Sequence, residues 1–186
     1  MKNYLITGGL GFVGRHMAKK ILSLGHKVHI VDNLYEGSGA LSLKDWPNHL
    51  KPSLLEEKNL EISKIDCRDF FKSKDSNLFK YDEVLHLAAI VGDKPCEAAP
   101  EAAYDINFVG TKKLYQLALK KKIPKFIFAS TCSNYGISGD TFANENSKLN
   151  PVSLYAESKI DCENYLESAA QSCTKAISLR FGTAYG

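Results

Sequence analysis

Thr7-Gly8-Gly9-Leu10-Gly11-Phe12-Val13-Gly14 is the stretch that decides the fold. It lies between a short β-like run, Asn3–Thr7, and a helical pattern running from Phe12 to Leu24. Gly8, Gly11 and Gly14 give the spacing G-x-x-G-x-x-G. A glycine at the strand end permits a tight turn, and a second lets a pyrophosphate approach bare backbone. The third allows the helix to pack close to the sheet, while the helix N-terminus faces the phosphate charge. Three glycines alone often mark only a turn. Their strand–turn–helix setting makes Gly8, Gly11, Phe12, Val13 and Gly14 a candidate dinucleotide loop.

The next element supports that reading. Gly25 stands where a helix C-cap belongs, and Lys27–Val31 reads as a second buried strand. Asp32 at its end is the expected acidic partner of the adenosine ribose hydroxyls, and its charge would repel the extra phosphate of NADP. NAD is the cofactor expected, although a turn-forming aspartate before Asn33 would look the same.

Further along, Asn33–Asn59 is polar and contains proline, and reads as loop with a short helix or two. Strand-like runs recur at Leu60–Ile65, Glu83–Ala88, Lys125–Ser130 and Lys175–Arg180. Helical patterns cover Glu101–Lys122 and Leu154–Ala170. This alternation predicts an α/β fold with a doubly wound parallel sheet covered on both faces, a Rossmann-type domain. With 186 residues, 44% of them hydrophobic, the chain can bury one substantial core.

Composition also excludes several functions. A net charge of +3 is too small to point to nucleic acid or an anionic membrane, and Lys120–Lys122 with Lys125 reads as a solvated helix end. No apolar run approaches the roughly 20 residues of a membrane span, and no charged-then-apolar leader precedes the first strand. The five cysteines are odd in number and lack a C-x-x-C pair, and the histidines lack ligand spacing. Reduced thiols, a cytoplasmic location and no metal site are the expectation.

A second chemical feature is Tyr155-Ala156-Glu157-Ser158-Lys159. Positions i and i+4 share a helix face, so a phenol and an ammonium can act together there. A free tyrosine, with a pKa of about 10, is a poor base at neutral pH. A neighbouring lysine cation and the positive nicotinamide ring would favour the phenolate, making Tyr155 a candidate proton acceptor in hydride transfer. Alone, Y-x-x-x-K carries little information. Placed after a dinucleotide loop and just before the last strand, it marks a candidate active site.

These residues carry a family resemblance. The chain resembles the extended short-chain dehydrogenase/reductases, in particular the NAD-dependent epimerase/dehydratase family that acts on nucleotide sugars. Beyond the glycine loop, the matching segments are Val31-Asp32-Asn33-Leu34, Asp66-Cys67-Arg68-Asp69 and His86-Leu87-Ala88-Ala89. They continue through Asn107–Thr111, Ser130–Gly136, Asn150-Pro151 and Arg180–Gly186. The resemblance implies that Asn33, Asp66 and the Cys67 backbone contact the cofactor, with Leu87, Ala88 and Ala89 lining it. It implies that Thr131 hydrogen-bonds the reacting sugar oxygen, Tyr155 is the base, and Lys159 holds the nicotinamide ribose. Asn107 would brace the long helix, and Val91–Cys96 would border the substrate. As a strand-ending residue of high β-propensity, Thr131 could also be purely structural. Cys132 lacks any activating neighbour and reads as a buried small residue.

Departures narrow the reaction. Sugar 4,6-dehydratases usually follow the catalytic threonine with Asp-Glu, whereas Cys132-Ser133 stand here. The decarboxylases usually carry glutamate at Ser133. Many UDP-galactose 4-epimerases have lysine at Val91 and asparagine at Thr183, differences that weaken a specific assignment to galactose but not to epimerisation. The expectation is therefore a nucleotide-sugar epimerase. An NAD-dependent oxidoreductase on a sugar or small alcohol, or a non-catalytic NAD-binding module, is the alternative. The family continues into a small C-terminal substrate domain, expected beyond residue 186. It often pairs through two long helices, so a homodimer is expected, with Tyr115, Leu119, Tyr165 and Leu166 as candidate outward contacts or, for some of them, core residues.

Overall fold

The computed structural model describes residues 1–35, 59–70, 80–137 and 142–185. Most of the expected loop Asn33–Asn59 lies outside them. Among the described residues six parallel strands form one sheet: β1 (Asn3–Thr7), β2 (Lys27–Asp32), β3 (Leu60–Lys64), β4 (Glu83–His86), β5 (Lys125–Thr131) and β6 (Lys175–Phe181). Their spatial order is β3-β2-β1-β4-β5-β6. The chain thus winds outward from β1 to β3, then returns to β4 on the other side of β1. The carboxyl edge between β1 and β4 is where such a sheet takes its ligand.

Side-chain alternation explains how both faces are filled. Leu5 and Val84 point to one side, with Phe70, Leu114, Tyr115, Phe126, Phe128 and Leu166. Ile6 and Leu85 point to the other, with Leu10, Ala18, Ile21, Leu22 and Ile30. Helix α1 (Phe12–Ser23) covers the second face, and its Gly14, Ala18, Ile21 and Leu22 are buried. On the first face α6 (Leu154–Ser168) buries Cys162 and Leu166, and starts at Ser153, whose hydroxyl accepts the Ala156 N–H (3.2 Å).

The long helix foreseen at Glu101–Lys122 is less regular than its periodicity suggests. After short helices α2 (Cys67–Phe70) and α3 (Asp93–Ala98), α4 (Pro100–Tyr104) runs into a π-helical turn, Asp105–Gly110, and continues as α5 (Thr111–Lys120). Tyr115 and Leu166, two of the candidate outward contacts, are instead core residues at 0% and 1% exposure. Their helices turn both side chains toward the sheet, where Tyr115 meets Phe126 edge-on at 5.1 Å. Strand β4 ends two residues before Ala88, the end foreseen. Just beyond it, Gly8 and Ala88 lie so close that no Cβ would fit between them.

Candidate active site

The glycine loop is shaped by close approach. Gly8 has a φ of +68°, and a Cβ on it would lie 2.7 Å from the Ala88 nitrogen. A Cβ on Gly14 would lie 2.6 Å from Gly9 Cα, so helix α1 can start only this close to the loop. Gly9, outside the triplet read from sequence, is equally constrained: its Cβ would strike Ile30 at 2.7 Å. Gly11 differs, because apart from the Gly8 carbonyl at 3.3 Å nothing crowds it. Its bare backbone faces a cleft of ≈ 610 Å³. Helix α1 opens there with no acidic residue in its first turn, leaving its N-terminal dipole free for an anion.

The cleft gathers the residues singled out in sequence. Phe12, Val13 and Gly14 line it beside Gly8 and Gly11. Asp32, Asn33, Asp66 and Cys67 form one end, Leu87, Ala88 and Ala89 one wall, and Thr131, Tyr155 and Lys159 the other end. Asp32 is buried, and both its oxygens accept backbone N–H groups: Oδ2 from Leu10 (3.0 Å) and Oδ1 from Leu34 (2.9 Å). The acid thus fastens the glycine loop to the end of β2. Asp66 accepts from Arg68 Nη2 and Nε (2.9 Å each), which holds its carboxyl below the usual range despite partial burial. Arg68 also bonds Asp105 in the π turn, tying this end of the cleft to the helix. Burial pushes the Cys67 thiol up to about 12, so only its backbone is useful to a ligand.

At the opposite end, Tyr155 and Lys159 are buried in the first turns of α6. Lys159 Nζ donates to the Ala129 carbonyl (2.8 Å) and sits over the Phe128 ring at 4.7 Å and the Tyr155 ring at 5.7 Å. Burial pulls its pKa down to about 8, which still leaves an ammonium at neutral pH. Tyr155 is pushed up to about 12, chiefly by burial, with Cys96, Asp93 and Cys132 adding to it. In the protein alone Tyr155 is therefore a phenol, and the expectation drawn from sequence counted the nicotinamide charge as well as Lys159. The ammonium is engaged with the Ala129 carbonyl and the Phe128 ring.

Thr131 ends β5 and caps a 3-10 turn, Cys132–Tyr135. Its hydroxyl accepts the Ser133 N–H and donates to Ser133 Oγ, both at 3.1 Å. Cys132, expected to be buried, is exposed, because the turn swings it away from the strand. Val91 and Pro95 line the cleft, and Cys96 is buried with Tyr155.

Two buried residues organise the floor, and sequence reading gave them too little weight. Asn107 clamps the loop after β4 by accepting the Ile90 N–H (2.8 Å) and donating to the Ile90 carbonyl (3.0 Å). It braces that loop from the π turn, rather than the helix alone. His86 lies between Thr7 Oγ1 (2.6 Å) and Thr111 Oγ1 (2.8 Å). Thr111 gives its proton to the Asn107 carbonyl, so His86 Nε2 donates to Thr111 and Nδ1 accepts from Thr7. Burial drives its pKa down to about 3, which keeps it neutral. A histidine in an apolar strand was the available signal. Among the described residues no His/Cys/Asp/Glu cluster could hold a metal, and no helix is long and apolar enough to cross a membrane.

A parallel sheet in this order, with a glycine-lined cleft at its switch point, defines a Rossmann-type nucleotide-binding domain. Residues 4–186 match the NAD dependent epimerase/dehydratase family, and the chain belongs to it. Its relatives include UDP-glucose 4-epimerase 3 of Oryza sativa subsp. japonica, 30% identical over 184 residues, which are 95% of this chain and 48% of that protein. Another is the UDP-N-acetyl-alpha-D-glucosaminuronate decarboxylase of Bacillus cytotoxicus, 37% identical over 149 residues, 80% of this chain and 42% of that one. Among solved structures, the UDP-glucose 4-epimerase of Thermus thermophilus in complex with NAD superposes with a TM-score of 0.83. It is 30% identical, covering 99% of this chain and 56% of that one. The chain spans about half the length of the curated relatives it matches.

Proposed function

We propose that this chain is the cofactor-binding and catalytic part of an NAD-dependent nucleotide-sugar epimerase. One observation carries the reading. A single cleft joins the bare backbone of the glycine loop to Thr131, Tyr155 and Lys159. The names of the relatives, most of them UDP-sugar 4-epimerases, favour a UDP-hexose and its C4 hydroxyl. Exposed Cys132 and half-buried Ser133 carry no carboxylate, which favours epimerisation over elimination or decarboxylation.

The cleft suits the cofactor. Gly8, Gly11, Phe12, Val13 and Gly14 would hold the pyrophosphate at the start of α1. Asp32 and Asn33 would meet the adenosine ribose, Asp66 and the Cys67 backbone the adenine. Leu87, Ala88 and Ala89 would line the path to Lys159, which would hold the second ribose. NAD held there would supply the reversible hydride acceptor for the sugar carbon. Tyr155 takes the proton of the reacting hydroxyl and gives it back. Thr131 turns its hydroxyl from Ser133 to the same oxygen, and Val91 and Pro95 add an apolar rim to the cleft. Burial pushes the phenol up to about 12 in the protein alone, and further positive charge brought into the cleft would draw it back down.

Five free thiols, three of them buried, suit a cytoplasmic protein. A homodimer fits the outer face of α4, the π turn and α6. There Tyr104, half exposed, stacks with Phe108 at 5.2 Å, and Phe108 meets Tyr165 edge-on. The test of function is conversion of UDP-glucose by the NAD-loaded protein, followed by separation of the epimers. An epimer without net NADH supports the reading, and ketosugar with stoichiometric NADH supports an oxidoreductase.

A further inference from the structure

A second polar cluster is buried where β5, the 3-10 turn, α6 and β6 meet. Its centre is Glu163, one turn beyond Lys159 on α6, with a side chain 11% exposed. Arg180 of β6 grips it through Nε to both carboxylate oxygens (3.1 Å each) and through Nη2 to Oε2 (2.6 Å). Ser130 Oγ donates to Glu163 Oε1. Asn134 Nδ2 donates to Glu163 Oε1 (2.9 Å) and to Ser130 Oγ (3.1 Å). Arg180 Nη1 reaches on to the Tyr135 hydroxyl (2.9 Å).

The partners are not scattered. Ser130 precedes Thr131 in β5, and Asn134 and Tyr135 belong to the turn that Thr131 caps. Tyr155, Lys159 and Glu163 recur every four residues along one face of α6. Asn134 is fully buried, yet its Oδ1 finds no partner among the described residues. Its orientation is therefore set by the amide end, which Glu163 holds. A largely desolvated ion pair adds little net stability, so three elements converging on the carboxylate of a fourth call for a different reason. Charge-assisted hydrogen bonds are short and directional, which suits them to fixing one element against another.

We propose that Glu163 is a positioning residue: through Ser130 and Asn134 it locks the Thr131 turn to the helix that carries Tyr155 and Lys159. This rests on the reading of Thr131 as the group that holds the reacting oxygen. The distance between hydroxyl and phenol, and so the fit of both to one substrate oxygen, is set from behind the site.

Two variants test it. Glu163→Gln removes the charge, and Asn134→Ala cuts the turn from Glu163 while leaving the Arg180 pair intact. Three quantities are read in each: amide exchange, NAD affinity by calorimetry, and steady-state kinetics with UDP-glucose. The Ser133 amide, which donates to Thr131, and the Asn150 amide, which donates to the Asn134 carbonyl, should exchange at least about tenfold faster in both variants. Glycine-loop amides and the NAD dissociation constant should stay within about twofold. Turnover should fall by roughly 10- to 100-fold with KM within about threefold, the pattern of a misplaced but intact site. Wild-type exchange and turnover in Asn134→Ala would overturn the proposal, as would faster exchange spread equally over the glycine loop. Should Glu163→Gln fail to fold, Asn134→Ala decides alone. Failure of the unaltered protein to convert UDP-glucose counts against the proposed function, while the exchange data still decide the role of Glu163.

Discussion

Asp32 offers a fixed charge rather than a mobile one, because Leu10 and Leu34 hold both of its oxygens from behind. A phosphate on the adenosine ribose would meet that charge in a buried position. NAD should therefore bind at least about tenfold more tightly than NADP, as calorimetry can measure. Asp32→Asn should narrow the ratio and weaken both ligands, since an amide nitrogen would then face a backbone N–H. Equal binding of the two by the unaltered protein would dismiss this role. Tyr155 makes a separate prediction. Burial disfavours the phenolate and pushes its phenol up to about 12, above the ordinary 10. The ultraviolet difference between wild type and Tyr155→Phe should show that high midpoint, and added NAD should lower it. Loss of the proton acceptor in Tyr155→Phe should cut turnover by roughly 10²–10⁴ with NAD affinity little changed. Lys159 and Tyr155 were legible as a pair from their spacing. Their electrostatics were not, since the hydrogen bond to Ala129 and the depth of burial are tertiary facts.

Elements were legible where local pattern and tertiary demand agree. Six strands and the glycine turn follow from alternation and from three glycines, of which Gly8 and Gly14 are sterically required. The π turn at Asp105–Gly110 left no mark, because no proline or glycine breaks the helical period before Gly110. It is maintained by Asn107 gripping Ile90 and by the relay from Thr7 through His86 to Thr111. That relay makes an acid-sensitivity prediction. Unfolded, the His86 imidazole takes a proton below its ordinary 6.5, and folded only below about 3. Stability is thus full above 6.5 and is lost as pH falls through the window between the two values. The loss between pH 7 and pH 5 should be about 2 kcal/mol for the shift to about 3. Thermal melts should show His86→Gln less stable at neutral pH but flatter toward acid. An unaltered acid slope in that variant would assign the sensitivity elsewhere.

At the scale of the whole molecule, rotation of the helices about their axes was the least legible feature. Tyr115 and Tyr165 differ by nothing in type, yet one is core and the other half buried beside Lys112. Their allocation depends on how α5 and α6 lean on Phe126, which no local pattern encodes. The outward aromatic surface left by that allocation predicts self-association. Light scattering should find a dimer, and Tyr104→Lys should shift it toward monomer without lowering NAD affinity. A monomer at high concentration would rule the homodimer out.

The central claim, that one cleft moves a hydride off a sugar carbon and returns it to the other face, is tested most directly with UDP-glucose deuterated at C4. The NAD-loaded protein should yield UDP-galactose that retains the deuterium at C4, with no accumulation of free NADH. Deuterated NADH released together with a ketosugar, or a product that has exchanged its deuterium for solvent hydrogen, would contradict it.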